Sequence, residues 1–215
     1  RDEDARADRS PGEFYQLDFE MAFATQEDVL SVAEEVLSET FKTFSDKTVS
    51  ETPFPRIPFA EAMLKYGTDK PDLRNPLVII DLSDLFVTSD FKPFQGKCVR
   101  AINVPGCASQ PKSFFENMLS FATSIGMKGL GYVKVEEDMS YKGPIDKFLT
   151  GEQRAEIAKR AGLAPGSVLY FIADSKLDAP KLAGQIRTEL GRRLDLLEKD
   201  AFRMCFITDF PMFEL

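Results

Sequence analysis

The stretch RDEDARADRSPGEFYQLDFEMAF, residues 1–23, carries the most informative pattern in the sequence. It is called the hairpin segment below. Residues 14–23 alternate strictly, and a period of two residues indicates a half-buried β-strand. One face carries Tyr15, Leu17, Phe19, Met21 and Phe23, and the other carries Phe14, Gln16, Asp18 and Glu20. Residues 4–13 are polar and contain Pro11 and Gly12, which predicts a loop from a strand that ends at residues 1–3. The segment is therefore predicted to be a two-stranded hairpin.

The polar face of this hairpin carries groups suited to a zwitterion and a nucleotide. Arg1 offers a planar guanidinium fork that matches phosphate or carboxylate oxygens. Phe14 lies on an otherwise polar face, where a flat partner would have to cover its ring. Gln16, Asp18 and Glu20 add acceptors for an ammonium group or a sugar. The alternative is a solvated strand face with Arg1 paired to a carboxylate, and the spacing alone favours that alternative.

The composition of the 215 residues is that of a globular protein, with 43% hydrophobic and 29% charged residues. No apolar run approaches the roughly 20 residues needed to span a bilayer. The charged beginning lacks the apolar core of a signal peptide, so a cytoplasmic protein without membrane contact is expected. Cys98, Cys107 and Cys205 lie far apart, which indicates reduced thiols rather than a zinc site or a disulfide framework.

The charge and the missing histidine exclude several classes of site. A formal net charge of −8 opposes a surface built mainly to hold phosphate backbones, so any contact with nucleic acid should be local. The absence of histidine excludes histidine bases and histidine metal ligands, and no metal site is predicted in these residues. The start at Arg1 and the final FPMFEL, which looks like a strand stopped in mid-course, predict a fragment.

Helical and strand patterns alternate after the hairpin segment. Thr25 with Asp28 and Thr150 with Gln153 have the spacing of helix capping boxes. The predicted helices are 25–41, 59–66, 111–125, 150–161 and 179–197, and the predicted strands are 98–104, 130–135, 167–173 and 202–208. From about residue 75 the succession of strands and helices suffices for a separate small α/β or α+β core. We therefore predict an α+β fold with residues 76–200 inserted between residues 1–75 and 201–215.

Four stretches resemble the bacterial-type aspartyl-tRNA synthetases of class II. Residues 1–18 resemble motif 2 of that class, an Arg-x-Glu followed by a variable loop and then Phe and Asp on the returning strand. RIPFAEAMLKYGTDKPDLRNP (56–76) and DFPMFE (209–214) match the same family. Residues near 91–190 resemble its insertion named for a Gly-Ala-Asp (GAD) triplet, here Ile172, Ala173 and Asp174. The resemblance implies an antiparallel-sheet catalytic domain with an inserted GAD domain.

The resemblance also implies which residues meet ATP. Arg1 is similar to the motif 2 arginine that holds the α-phosphate of ATP and the reacting carboxylate of aspartate, and so it is the candidate catalytic residue. Asp2 and Glu3 lie where the family contacts the nucleotide, and Phe14 matches the phenylalanine that stacks under adenine. The loop of the family usually reads Arg-Gln-Pro-Glu-Phe, so Ser10 replaces a glutamine that contacts the nucleotide.

The aspartate site implied by the resemblance lies on the returning strand. Gln16 and Asp18 match residues that face the ammonium group of the amino acid, and Glu20 supports them. Arg1 completes the site at the carboxylate. A further set of basic residues, Lys181, Arg187, Arg192 and Arg193, is interpreted as a solvated helix face rather than a tRNA contact.

The implied reaction is the activation of L-aspartate with ATP and its transfer to tRNA(Asp). Whether tRNA(Asn) is charged as well stays open, although the amino-acid sequence of the motif 2 loop favours it. The resemblance implies a homodimer and Mg²⁺ whose ligands lie outside these residues. Because motifs 1 and 3 are missing, the fragment alone is expected to be inactive. The alternatives are an asparagine or lysine synthetase, which lack this insertion, and a non-catalytic tRNA-interacting module of a tRNA-dependent amidotransferase subunit.

Overall fold

The structure is a computed structural model that describes residues 15–87, 89 and 91–213. It divides into two compact units, residues 1–45 (the first unit) and residues 46–215 (the second unit). The described part of the first unit contains helix α1, Gln26–Phe44. Thr25 and Asp28 form the capping box that the sequence predicts, since each side chain accepts from the backbone N–H of the other.

The predicted strand at residues 14–23 is wrong for the residues that the structure describes. Residues 15–21 form no strand, and residues 22–23 form a turn in which Phe23 has a φ of 55°. A strand needs a ladder partner for its backbone groups, and no described segment pairs with this stretch. The apolar face is exposed instead of half-buried. It comprises Tyr15, Leu17, Phe19, Met21 and Phe23. The partner strand predicted at residues 1–3 lies outside the described residues.

The second unit contains four helices and nine short strands among its described residues. The helices are α2 (Phe59–Lys65), α3 (Lys112–Ser124), α4 (Gly151–Ala161) and α5 (Asp178–Arg193). The strands are β1 (Thr48–Val49), β2 (Arg56–Pro58), β3 (Ile79–Asp81), β4 (Cys98–Val104), β5 (Gly131–Val135), β6 (Tyr141–Lys142), β7 (Val168–Asp174), β8 (Ala201–Phe202) and β9 (Phe206–Thr208). Short 3₁₀ turns occupy Ser83–Phe86, Cys107–Ser109 and Asp146–Phe148.

A five-stranded sheet is the centre of the second unit. Its strand order is β3-β4-β7-β5-β6, and every neighbouring pair is antiparallel. Helices α3 and α5 cover one face, and α4 with the Ser83–Phe86 turn covers the other. Strand β7 is therefore buried on both faces: Tyr170 packs in the first core and Phe171 in the second. This explains why β7 reads as a continuous apolar run in the sequence.

Two parallel strand pairs join the beginning of the second unit to its end. Strand β1 pairs with β8, and β2 pairs with β9. The sequence predicts one strand over residues 202–208, but the structure splits it into β8 and β9. The Ser50 hydroxyl causes the break, because it accepts from the Met204 N–H (2.8 Å) and donates to the Phe202 carbonyl (3.1 Å). A side chain thus occupies hydrogen-bonding positions that a continuous ladder would use.

Most other predicted elements are confirmed within a few residues, and β4 coincides with its prediction. Strands β1, β2, β3 and β6 were not predicted, because strands of two or three residues give too little alternation to be recognised. Helix α5 ends four residues early. Asp195 takes a φ of 52°, and the Leu196 N–H donates to the Gly191 carbonyl at 2.9 Å, as in a Schellman motif. No helix in the described ranges is long and apolar enough to cross a bilayer.

Candidate functional site

Three of the eight predicted site residues fall within the described part of the chain. They are Gln16, Asp18 and Glu20, and all three side chains are exposed. The other five lie outside the described residues: Arg1, Asp2, Glu3, Ser10 and Phe14. The predicted ATP contacts therefore stay predictions, as does the role of Arg1 as the catalytic residue.

Gln16 and Asp18 are brought into direct contact. The Gln16 Nε2 donates to an Asp18 carboxylate oxygen at 2.6 Å. Side chains two positions apart meet in this way when they project from the same side of an extended backbone. The amide donor orients the carboxylate, while the Gln16 carbonyl oxygen and the second Asp18 oxygen are both acceptors. Two acceptors beside one another are the arrangement that an ammonium group can bridge.

The opposite side of the same stretch is apolar and exposed. Phe19 and Met21 expose 61% and 44% of their surface, and exposed apolar residues continue on α1 at Val29, Val36 and Leu37. An isolated exposed apolar side chain is ordinary, but a contiguous series usually marks a surface that another element covers. The exposed polar side chains of Gln16, Asp18 and Glu20 thus lie on a segment that also exposes apolar side chains.

The described residues contain no ligand set for a metal. None of their Cys, Asp and Glu side chains form a group of three or more that could hold an ion.

The interpretation of the basic residues on α5 is wrong for Arg187. Its side chain is only 1% exposed, and its guanidinium group donates to backbone carbonyls of residues 72–77. Helical spacing could have indicated this burial, because Arg187 lies on the same face as Ala183 and Leu190, which are core residues. The charge of Arg187 was taken as a sign of a solvated position, although its spacing places it on the apolar face.

The other basic residues of α5 lie at the surface, as interpreted. Arg192 and Arg193 both pair with Glu189, at 2.7 and 2.5 Å. The hydrogen bonds from Arg192 and then Arg193 lower the pKa of Glu189 to about 2. Lys181 is exposed and lines an open cleft with Thr68, Lys70 and Gln185. Arg192 and Arg193 therefore share a single carboxylate partner.

Comparison with known proteins identifies the family. Residues 1–214 match the family model described as tRNA synthetases class II (D, K and N). The chain belongs to this family. Its membership confirms the resemblance seen in the hairpin segment. It also supports the synthetase interpretation rather than the amidotransferase module.

The relatives of this class II chain include several ligases from Rickettsia. It is 54% identical over 220 residues to the "Aspartate--tRNA(Asp/Asn) ligase" of Rickettsia bellii (strain OSU 85-389). The proteins of the same description from Rickettsia prowazekii (strain Madrid E) and Rickettsia felis are 53% and 54% identical. Each match covers 100% of this chain but only 36–37% of the relative. The chain thus spans a little over one third of the length of these curated relatives.

Proposed function

We propose that the complete protein is an aspartate–tRNA ligase. It activates L-aspartate with ATP to aspartyl-AMP and then transfers the aspartyl group to tRNA(Asp) and to tRNA(Asn). The observation that carries the proposal is the 54% identity over the whole chain to a relative described as an Asp/Asn ligase. The contact between Gln16 and Asp18 supports it chemically, because an amide oxygen and a carboxylate are acceptors suited to an ammonium group.

The role proposed for Arg1 rests on the resemblance to motif 2 and on the chemistry of a guanidinium group. The α-carboxylate of aspartate attacks the α-phosphorus of ATP, a bond from phosphorus to the carboxylate oxygen forms, and pyrophosphate leaves. Negative charge accumulates on the α-phosphate oxygens in the transition state, and a guanidinium fork can donate two hydrogen bonds to them. Arg1 therefore stabilises the transition state more than the bound substrates. Phe14 stacks on adenine, while Asp2, Glu3 and Ser10 contact the nucleotide.

The role proposed for Gln16, Asp18 and Glu20 is to orient aspartate. A substrate ammonium group held by two acceptors fixes the carboxylate at the opposite end of the molecule for attack. Mg²⁺, when bound, screens the polyphosphate of ATP, and its ligands are proposed to come from parts of the protein outside these residues. The complete protein is proposed to act as a homodimer in the cytoplasm.

The inserted domain at residues 76–200 is part of the proposal. The N–H of Glu198 donates to the Arg74 carbonyl at 3.0 Å, so the two ends of the insertion meet. The segments before and after it pair with each other through β1, β2, β8 and β9. Both observations support a unit whose two chain ends leave the rest of the protein side by side.

The proposal is tested by charging assays with the complete protein. Wild-type protein should attach L-aspartate to transcripts of both tRNA(Asp) and tRNA(Asn). Arg1→Ala should lower kcat for ATP–pyrophosphate exchange by roughly 10² or more, the size of effect seen when an oxyanion-stabilising group is lost. Glu35→Gln is the matched control, since Glu35 is exposed on α1 and has no proposed role. A loss of kcat below threefold in Arg1→Ala would show that Arg1 is not catalytic. Charging of tRNA(Asp) alone would show that tRNA(Asn) is not a substrate.

A further inference from the structure

Helix α5 packs closely against residues 66–77, a segment whose residues up to 75 are predicted to belong to the catalytic domain. The contact face of α5 carries glycine at positions 184 and 191. A Cβ atom at Gly184 would lie 2.8 Å from the Gly67 carbonyl oxygen, and one at Gly191 would overlap the side chain of Asn75. Neither position has room for a Cβ atom. Helix α5 can therefore approach the segment only because both positions are glycine.

Arg187 lies between the two glycines and fills the centre of this contact. Its Nε donates to the Leu77 carbonyl at 2.5 Å, and its Nη2 donates to the carbonyls of Asn75 at 2.7 Å and Asp72 at 3.1 Å. The guanidinium group also lies 4.9 Å from the centre of the Tyr66 ring. One buried side chain therefore holds three successive parts of the segment.

The contact is reciprocal, because Asn75 also binds the backbone of α5. The Asn75 Nδ2 donates to the Arg187 carbonyl at 3.0 Å, and the Asn75 Oδ1 accepts from the Leu77 N–H at 3.1 Å. Each residue thus uses its side chain to satisfy the main chain of the other. Asn75 is 5% exposed, so water does not readily replace these bonds.

The electrostatics show that Arg187 serves the backbone rather than a carboxylate. The carboxylate of the nearby Asp72 is bound by Arg74 at 2.9 and 2.7 Å. Burial lowers the pKa of Arg187 from its usual value, although the pKa of an arginine leaves it charged at neutral pH. Carbonyl dipoles therefore balance the buried charge, and they can do so only where the backbone has one particular course.

We propose that Arg187 is a positioning residue that fixes residues 72–77 on α5, so that the segment and the five-stranded sheet behave as one rigid body. Leu77 lies two residues before β3, the edge strand of that sheet, so a fixed Leu77 fixes the point at which the chain joins it. In the complete synthetase this clamp would hold the insertion in one orientation while tRNA is charged. That last step rests on the proposed function.

The clamp itself is tested by hydrogen exchange in the complete protein. Arg187→Met keeps an apolar stem but removes every donor, and Arg187→Lys keeps the charge but not the planar fork. Amide exchange in residues 72–80 should quicken about tenfold or more in Arg187→Met and by less in Arg187→Lys, since buried acceptors lose their donors. Arg192→Met on the surface of the same helix is the control and should leave exchange there unchanged. Wild-type exchange in Arg187→Met would overturn the clamp.

A double variant keeps the test decisive if single changes loosen the protein generally. If Asn75 and Arg187 act as one unit, Asn75→Ala with Arg187→Met should exchange no faster in residues 72–80 than Arg187→Met alone. Additive effects would show two unrelated contacts and would overturn the reciprocal clamp. If Arg187→Met does not fold, the same comparison is made with Arg187→Lys, in which unaltered exchange would be the contradicting result.

The positioning role is tested by separating the two half-reactions. Arg187→Met should leave ATP–pyrophosphate exchange within about twofold of wild type and raise KM for tRNA several-fold, because only the second step depends on the insertion. Arg187→Lys should restore part of the loss. An unchanged KM for tRNA in a variant with rapid amide exchange would overturn the positioning role. A wild-type protein that charges no tRNA would overturn the proposed function. The amide-exchange data would still test the clamp independently.

Discussion

At the scale of single residues, Gly67 and Gly162 separate the cost of a backbone conformation from the cost of packing. Both end helices with a left-handed backbone, at φ values of 69° and 57°. A Cβ atom at Gly67 would overlap the Pro180 carbonyl and approach the backbone of Gly184, whereas a Cβ atom at Gly162 would meet nothing within 4 Å. A glycine directly after a helix is typical of a left-handed backbone. The sequence gives no sign of the difference in packing, since that depends on how closely α5 approaches.

We predict that Gly67→Ala destabilises the protein much more than Gly162→Ala. The Gly162 change should cost about 1 kcal/mol, the usual cost of placing alanine at a positive φ. The Gly67 change adds a clash with rigid backbone and should cost about 3 kcal/mol or more in total. Urea unfolding followed by far-UV circular dichroism measures both free energies. Equal costs would contradict the close packing of α5 against residue 67.

Arg187 shows why residue patterns alone assign some site residues wrongly. Its charge and its charged neighbours predicted a solvated position, yet the side chain is buried because backbone carbonyls more than a hundred residues away in sequence accept its hydrogen bonds. The contact between Gln16 and Asp18, by contrast, depends only on two-residue spacing. Local spacing is visible in a sequence, whereas long-range acceptors are not.

At the scale of elements, the helix ends were predicted well because their signals are local. The Thr150–Gln153 capping box opens α4 at the predicted position. Gln153 does more than the pattern indicates: its carbonyl oxygen accepts from the Thr150 N–H at 2.9 Å, and its Nε2 donates to the Leu85 carbonyl at 2.7 Å. The strand at residues 14–23 failed for the converse reason, since alternation gives strand character but cannot supply a partner strand.

Because Gln153 makes both bonds, we predict that Gln153→Ala costs more than the loss of a capping residue alone. Losing the cap should cost about 1 kcal/mol, and leaving the Leu85 carbonyl without its donor should add about 1 kcal/mol more. Gln153→Glu keeps the acceptor for Thr150 but cannot donate to Leu85, so its cost should lie between that of alanine and zero. Lys159→Ala, exposed on the same helix, is the control and should stay within about 0.5 kcal/mol. A Gln153→Glu variant as unstable as Gln153→Ala would show that the bond to Leu85 dominates.

At the scale of the whole molecule, the alternation of strands and helices predicted a separate core but not its sheet. Successive strands joined by helices suggest parallel pairing, yet all neighbours in the five-stranded sheet are antiparallel. Strand β7 lies at the centre of that sheet although it is the last of its five strands in sequence. The order of strands depends on which apolar faces meet, and this information is spread over the entire unit.

The last prediction concerns removal of the proposed insertion from the complete synthetase. Replacing residues 76–197 with a short Gly/Ser linker should be sterically possible, since the Arg74 carbonyl and the Glu198 N–H lie 3.0 Å apart. Both cores of the five-stranded sheet would leave with the insertion. The remainder would lose the contacts that α2 makes with β3 and those that residues 66–75 make with α5. ATP–pyrophosphate exchange should then stay within about tenfold of wild type while tRNA charging falls further. The comparison requires variants that remain folded and dimeric by circular dichroism and light scattering. Loss of exchange in such a variant would show that the insertion shapes the site for aspartate and ATP, and its boundaries at residues 76 and 200 would then not mark a separable domain.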